Sequence, residues 1–194
     1  MAQLNGSEIL AKALKREGVD ELFFLMGGPM LAAESASINE GIRCIDVRHE
    51  QAAAMMAQAY SRLQQRPGVC MAASGPATIN LSTGLANALI DCCPVVALGG
   101  ASPILGNGKQ VFQEIDQMEI MSGCVKYAVR VHDPRRIPEI LNTAMQRAMS
   151  GKPGPVYLDL PGDILYQMVD EEEVDWTLSG RSILGSRPPA DEEQ

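Results

Sequence analysis

Clustered positive charge is missing from this chain. Its 16 Lys and Arg are adjacent only at Lys15-Arg16 and Arg135-Arg136, which read as solvated helix faces. Nucleic acids need a basic patch or stripe, so they are excluded as partners. Metal donors are scarce too. Two histidines and five cysteines (Cys44, Cys70, Cys92, Cys93, Cys124) show no C-x-x-C spacing, and no metal ligand is assigned within the chain. No apolar run approaches the roughly 18 residues of a membrane span, and the first residues, Met-Ala-Gln-Leu-Asn-Gly, are no signal peptide. Absence of a membrane and a reducing cytoplasm are therefore the expectation. Aromatics are only 4 % of the chain, while Ala, Gly and Met abound. That mixture suits helices lying close against a sheet.

What is present is alternation. Hydrophobic residues make up 46 % of 194 residues, an ordinary globular share, and the net charge of −8 is concentrated near the C-terminus. Helical spacing in Ser7–Glu17 ends at Gly18 and is followed by the continuous apolar run Leu22–Met26, the mark of a strand buried on both faces. A helix over Met30–Glu40, a strand over Ile42–Val47 and a helix over Glu50–Gln64 come next. In that last helix Ala53, Met56, Ala57, Tyr60 and Leu63 are expected on one face, with Met55, Met56, Met145 and Met149 in the core. Strands follow at Val69–Ala73, Pro94–Leu98, Lys126–Val131 and Val156–Leu160, with helices at Thr78–Ile90, Asp116–Ser122 and Pro134–Ser150. Six strands alternating with helices predict an α/β fold: a doubly wound six-stranded parallel sheet with helices on both faces. From Tyr166 the pattern fails, so residues 1–168 are expected to form one domain and 169–194 an acidic, Pro-containing tail or linker.

Ligands of such sheets sit at the carboxyl ends of the strands. The turns Gly27-Gly28-Pro29, Arg48-His49-Glu50 and Ser74-Gly75-Pro76 fall there, as does the loop ending in Phe112-Gln113-Glu114. The G-x-G-x-x-G fingerprint, the P-loop and G-x-S-x-G are all absent. Dinucleotide, ATP and serine-nucleophile chemistry lose their support. Glu50 opens a helix, where the dipole favours a carboxylate. That placement is also common for purely structural glutamates, and Gly27-Gly28-Pro29 taken alone reads as a plain turn.

The segments gain meaning together. Arg48-His49-Glu50-Gln51-Ala52-Ala53, Ala57-x-Ala-Tyr60-Ser-Arg62, Pro67-Gly68-Val69, Ser74-Gly75-Pro76 with Asn80, Phe112–Gln117 and Gly151–Pro161 run in order through residues 5–168. This series resembles the N-terminal, pyrimidine-binding domain of thiamine-diphosphate-dependent enzymes. The nearest groups are the acetolactate synthase-like enzymes and the oxalyl-CoA decarboxylase and 2-hydroxyacyl-CoA lyase group.

The resemblance implies that Glu50 hydrogen-bonds N1′ of the cofactor's aminopyrimidine and favours its imino tautomer, which generates the nucleophilic carbon. It implies that Gly27, Gly28, Pro29, Ser74, Gly75 and Asn80 bind the cofactor, and that Phe112 and Gln113 lie near the reacting carbon, Gln113 with a catalytic role. Met30 and Ala77 replace glycines common in the family and add bulk to a substrate pocket. Family members hold Mg²⁺ and diphosphate through a Gly-Asp-Gly motif in a separate domain. Here the only Gly-Asp is Gly162-Asp163, followed by Ile164. The expectation is a pyrimidine-binding half, active only with a diphosphate-binding domain or subunit. The assembly is expected to be a homo- or hetero-oligomer acting on 2-oxo acids or acyl-CoA thioesters. A non-catalytic regulatory or assembly subunit keeping the fold is the alternative. Leu85, Ala86, Ala88, Leu89 and Ile90 cover more than one helical face, which predicts an apolar subunit interface.

Overall fold

A computed structural model describes residues 2–180. Its centre is a six-stranded sheet built from β2 (Glu21–Leu25), β3 (Arg43–Asp46), β4 (Gly68–Ala72), β5 (Val95–Ala101), β6 (Tyr127–Arg130) and β7 (Val156–Pro161). The strand order is β3-β2-β4-β5-β7-β6 and every pairing is parallel. Two further strands, β1 (Gln3–Asn5) and β8 (Met168–Asp170), make a separate antiparallel pair.

Period-two alternation divides the core. Leu22, Phe24, Val69, Met71, Val96 and Leu98 point into one cluster with α1 (Gly6–Arg16), α2 (Leu31–Asn39) and α7 (Ile137–Met149). Phe23, Cys70, Ala72, Val95 and Ala97 point into the other, with α3 (Glu50–Gln64), α5 (Ser82–Ile90) and α6 (Gln117–Ser122). Strands covered on both sides must be apolar at successive positions, hence the unbroken runs. The expected doubly wound α/β sheet is what forms. Helix α1 is fixed at its start by a capping box between Asn5 and Glu8.

Several boundaries depart from the sequence reading. The expected Thr78–Ile90 helix is two, α4 (Pro76–Asn80) and α5, divided at Leu81. There the Leu81 N–H bonds to the Thr78 carbonyl, a tighter turn than the α-helical one. The strand expected to end at Leu98 continues through Gly99 and Gly100 to Ala101. A Cβ on Gly99 would lie 2.6 Å from the Tyr157 ring, and one on Gly100 would lie 2.7 Å from Pro29. Glycine marks close approach inside a strand here, not an end.

The face assigned to α3 also changes. Its buried positions are Glu50, Ala53, Ala54, Ala57, Gln58 and Ser61, whereas Met55, Met56 and Leu63 are exposed. Small residues face inward because the backbone comes very close: a Cβ on Gly68 would sit 2.0 Å from the Ala57 carbonyl oxygen, and one on Gly84 would sit 2.6 Å from the Ala54 Cβ. Met145 is buried as expected and Met149 is half-buried. The short helix α8 (Gly162–Tyr166) follows β7. Beyond β8, Val174 is buried and Trp176 packs against the first cluster. The Ser186, Pro188 and Pro189 part of the expected linker lies outside the described residues.

Candidate active site at the strand carboxyl ends

Chain order reverses between β2 and β4: β2 leads outward to β3, and α3 carries the chain back over the other face. A crevice opens at such a switch point beyond the strand ends. Gly27 and Gly28 follow β2, and Ser74 and Gly75 follow β4. The two turns are joined by the Ser74 N–H donating to the Gly28 carbonyl at 3.2 Å. A Cβ on Gly27 would lie 2.6 Å from that of Ala73, whereas Gly28 faces open space. The Gly28-Pro29 peptide is cis.

Gly75 adopts φ +62, and a Cβ there would meet the Gln113 carbonyl at 2.5 Å, so the turn requires glycine. The Ser74 hydroxyl donates to Gln113 Oε1 at 2.8 Å. Gln113 itself is left-handed at φ 60. The loop carrying it is pinned by the Glu114 carboxylate, which accepts from the Gly108 and Val111 N–H groups. The Gly108 bond, more than any other contact, holds the Glu114 carboxyl below its ordinary pKa.

Glu50 is the first residue of α3 and only 7 % exposed. Asn80, at the end of α4, donates to Glu50 Oε2 at 2.9 Å. Oε1 has no hydrogen-bond partner among the described residues. His49 caps α3 with Nδ1 accepting from the Gln51 N–H. Gly75 caps the five-residue helix α4 and Asn80 is its last residue, and the helix is ~7 Å long at the usual helical rise. The Glu50–Asn80 pair and the Gly28–Ser74–Gln113 group thus share one short scaffold.

Gly28, Pro29 and Ser74 also line an open groove of about 470 Å³, together with Pro103, Val111, Phe112 and Tyr166. Phe112 is 85 % exposed at its mouth. Met30 is turned away: it is buried in the core against Gly100 and lies outside the groove lining. Ala77 is half-buried on α4 behind the turn. Among the described residues, no group of three or more His, Cys, Asp or Glu is arranged to hold a metal.

Sequence reasoning missed the support beneath this turn. Gln117, 2 % exposed, accepts from the Gly75 N–H and reaches Gly100, Tyr157 and Asp159 with its amide nitrogen. Burial, more than the adjacent Asp159, pushes the Tyr157 hydroxyl well above its ordinary pKa. A signal was available: Asp159 sits in the apolar run Val156–Leu160, and a charge in a doubly buried strand must have partners.

A site built this way, on a doubly wound sheet with a buried carboxylate at a helix start, suits a cofactor-assisted enzyme. The sequence profile described as "Thiamine pyrophosphate enzyme, N-terminal TPP binding domain" matches residues 4–120. The chain belongs to this thiamine pyrophosphate enzyme family. It is 39 % identical over 170 residues to a probable acetolactate synthase large subunit of Methanocaldococcus jannaschii, covering 88 % of this chain and 29 % of the relative. With acetolactate synthase isozyme 2 large subunit of Escherichia coli it shares 40 % over 163 residues, 83 % of the chain and 29 % of the relative. With the 2-hydroxyacyl-CoA lyase of Arabidopsis thaliana the identity is 36 % over 172 residues, 89 % of the chain and 30 % of the relative. The chain thus spans about three tenths of the length of these curated relatives.

Proposed function

We propose that this chain is the aminopyrimidine-binding part of a thiamine-diphosphate-dependent enzyme that makes or breaks a C–C bond beside a carbonyl. The observation that carries the reading is Glu50. Its carboxyl is withdrawn from solvent at the start of α3 and tethered through Oε2 to Asn80, while Oε1 has no hydrogen-bond partner among the described residues. A ring nitrogen beside Oε1 can be held whichever partner carries the proton, since a carboxylate accepts and a carboxylic acid donates. Asn80 keeps the carboxyl in one orientation while it does so. These residues fit the pyrimidine end of the cofactor.

When bound, thiamine diphosphate supplies a nucleophilic carbon that adds to a carbonyl. Gly27, Gly28 and Pro29 let that end approach the sheet closely, and Ser74 and Gly75, on the neighbouring turn, line the site beside them. Gln113, held by Ser74, presents its amide beside the groove, and Phe112 shields the mouth from water. Mg²⁺ and the diphosphate are assigned to a diphosphate-binding domain outside residues 2–180, in the same polypeptide or in a partner subunit. Substrates are 2-oxo acids or acyl-CoA thioesters, a choice supported by the two kinds of relative. Five free cysteines suit a reducing compartment, and the reading places the enzyme in the cytoplasm. No described helix is long and apolar enough to cross a membrane.

The test is Glu50→Gln in the enzyme assembled with its diphosphate-binding part. Losing a carboxyl that shares a proton is expected to lower turnover on the order of a thousandfold, about 4 kcal/mol of barrier. Unchanged turnover would sink the catalytic reading and favour a subunit that serves assembly alone.

A further inference from the structure

We propose that Gln117 is a positioning residue, and that the buried array Gln117–Tyr157–Asp159–Arg130 sets the conformation of the Ser74-Gly75 turn. As a statement about catalysis it rests on the functional reading above; as a statement about the turn it stands on geometry alone.

The carboxamide of Gln117 is fully committed. Oε1 accepts from the Gly75 N–H at 2.9 Å, a bond only the oxygen end can make, so the amide orientation is determined. Nε2 lies 2.8 Å from the Gly100 carbonyl, 2.8 Å from the Tyr157 hydroxyl and 2.6 Å from Asp159 Oδ1. Two N–H groups facing three acceptors have no freedom to rotate. The Tyr157 hydroxyl in turn donates to Asp159 Oδ1 at 2.6 Å. Oδ2 receives Arg130 Nε, and Asp159 itself is completely buried. Arg130 and Asp159 are paired across β6 and β7, and Asp159 is paired with Gly99 on β5. Gly99 carries no side chain because the Tyr157 ring and the Thr78 hydroxyl occupy that space.

The array therefore ties three strands to a single backbone amide. That amide belongs to a glycine with positive φ, the residue type with the most conformational freedom to lose. Without Gln117 the Gly75 N–H would be a buried donor without a partner, a state that native proteins avoid. The turn would be free to reopen, and Ser74 would lose its register with Gln113. A ligand held against Gly75 would then have to order the turn as it bound, and its apparent affinity would fall by the fraction of turn out of place.

The decisive experiment compares wild type, Gln117→Met and Tyr157→Phe. Gln117→Met keeps the length and volume of the side chain and removes its hydrogen bonds. Amide hydrogen exchange, read residue by residue by NMR on the chain without cofactor, is expected to be at least tenfold faster at Gly75 in Gln117→Met. Val69 and Val96, in the neighbouring strands, should stay within twofold of wild type. Tyr157→Phe, which leaves Gln117 two of its acceptors, should fall between. In the assembled enzyme the KM for thiamine diphosphate should rise at least tenfold in Gln117→Met, with substrate KM within threefold of wild type. Unchanged exchange at Gly75 overturns the proposal, as does equal acceleration across all strands, which would mark a merely structural side chain. A loosened Gly75 with unaltered cofactor KM overturns its catalytic half. A wild-type enzyme without thiamine-diphosphate-dependent turnover would refute the functional reading instead, and the exchange comparison would still decide whether Gln117 positions the turn.

Discussion

Single residues in this protein act mainly by what they exclude. Gly68 has no room for even a methyl group, since its Cβ would sit 2.0 Å from the Ala57 carbonyl oxygen. Gly68→Ala is therefore expected to cost about 2–3 kcal/mol, as overpacking against backbone does, read as a lower urea midpoint at unchanged slope. Cys70 is excluded from chemistry by burial, which pushes its thiol from an ordinary 9.0 up to about 12. Iodoacetamide labelling of the native chain at pH 8, followed by mass spectrometry, should leave Cys70 unmodified until the chain unfolds. The same shift sets a pH dependence. The folded state retains a proton that the unfolded state gives up, so the stabilisation is complete below about pH 9 and is lost as pH climbs toward 12. Within that window one such group contributes a slope of about 1.4 kcal/mol per pH unit, and Tyr157, also raised by burial, acts in the same direction. Glu50 was legible as a candidate because it opens a helix after a strand, and Asn80 because it follows Ser74-Gly75-Pro76 in a recognisable series. Gln117 and Arg130 were not, because their roles depend on partners 42 and 29 residues away in sequence, distances that no local pattern reports.

Elements with strong periodicity were read well, and those held by backbone pairing alone were not. The sequence reading placed α3 at Glu50–Gln64, and the structure agrees at both ends, because the helix opens beside a buried carboxylate and closes just before Pro67. The central strands betrayed themselves as apolar runs. By contrast β1 and β8 are three residues each, too short to display a period, and they find one another across the whole length of the fold. The segment after β8 rests on α1 and on the turn that precedes α7 through several contacts of different kinds. Lys12 pairs with Glu171 at 3.1 Å and Arg135 with Glu173 at 3.3 Å. Arg16 stacks over the Trp176 ring at 4.2 Å, and buried Glu17 accepts from the Gly180 N–H. The ion pairs are partly exposed and contribute little; Trp176 with its cation–π contact contributes more. Trp176→Ala should lower stability by about 1–2 kcal/mol, measured by urea denaturation. No change in midpoint would mean that this segment lies on the domain without bracing it.

At the scale of the whole molecule, α3 is apolar on two sides, and that is why its inner face was misread from sequence. Ala53, Ala54, Ala57 and Ser61 face the sheet. Met55, Met56, Ala59 and Leu63 lie on the opposite stripe and are exposed, Leu63 by 81 %. One helical period fits either stripe, and a face drawn through Met56, Ala57 and Leu63 mixes the two. The outer stripe belongs to the helix whose first residue is Glu50. If the site is completed by another domain or subunit, as proposed above, this second apolar face is where the interface is expected, and an obligate one typically buries upwards of 2,000 Å². Leu89, on α5, is a poor probe of that interface: it is half-buried, with its Cδ1 3.6 Å from where a Gly154 Cβ would lie, so a charge there disturbs the domain as well. Met56 is the cleaner choice, because it is 38 % exposed and belongs to neither buried cluster. Met56→Glu is expected to leave the melting temperature of the isolated chain nearly unchanged, as surface substitutions do. It should weaken association by at least tenfold, about 1.4 kcal/mol, in sedimentation velocity, with turnover falling in step if, as proposed, the site of Glu50 is completed across that interface. Undiminished association and activity in that variant would place the interface elsewhere.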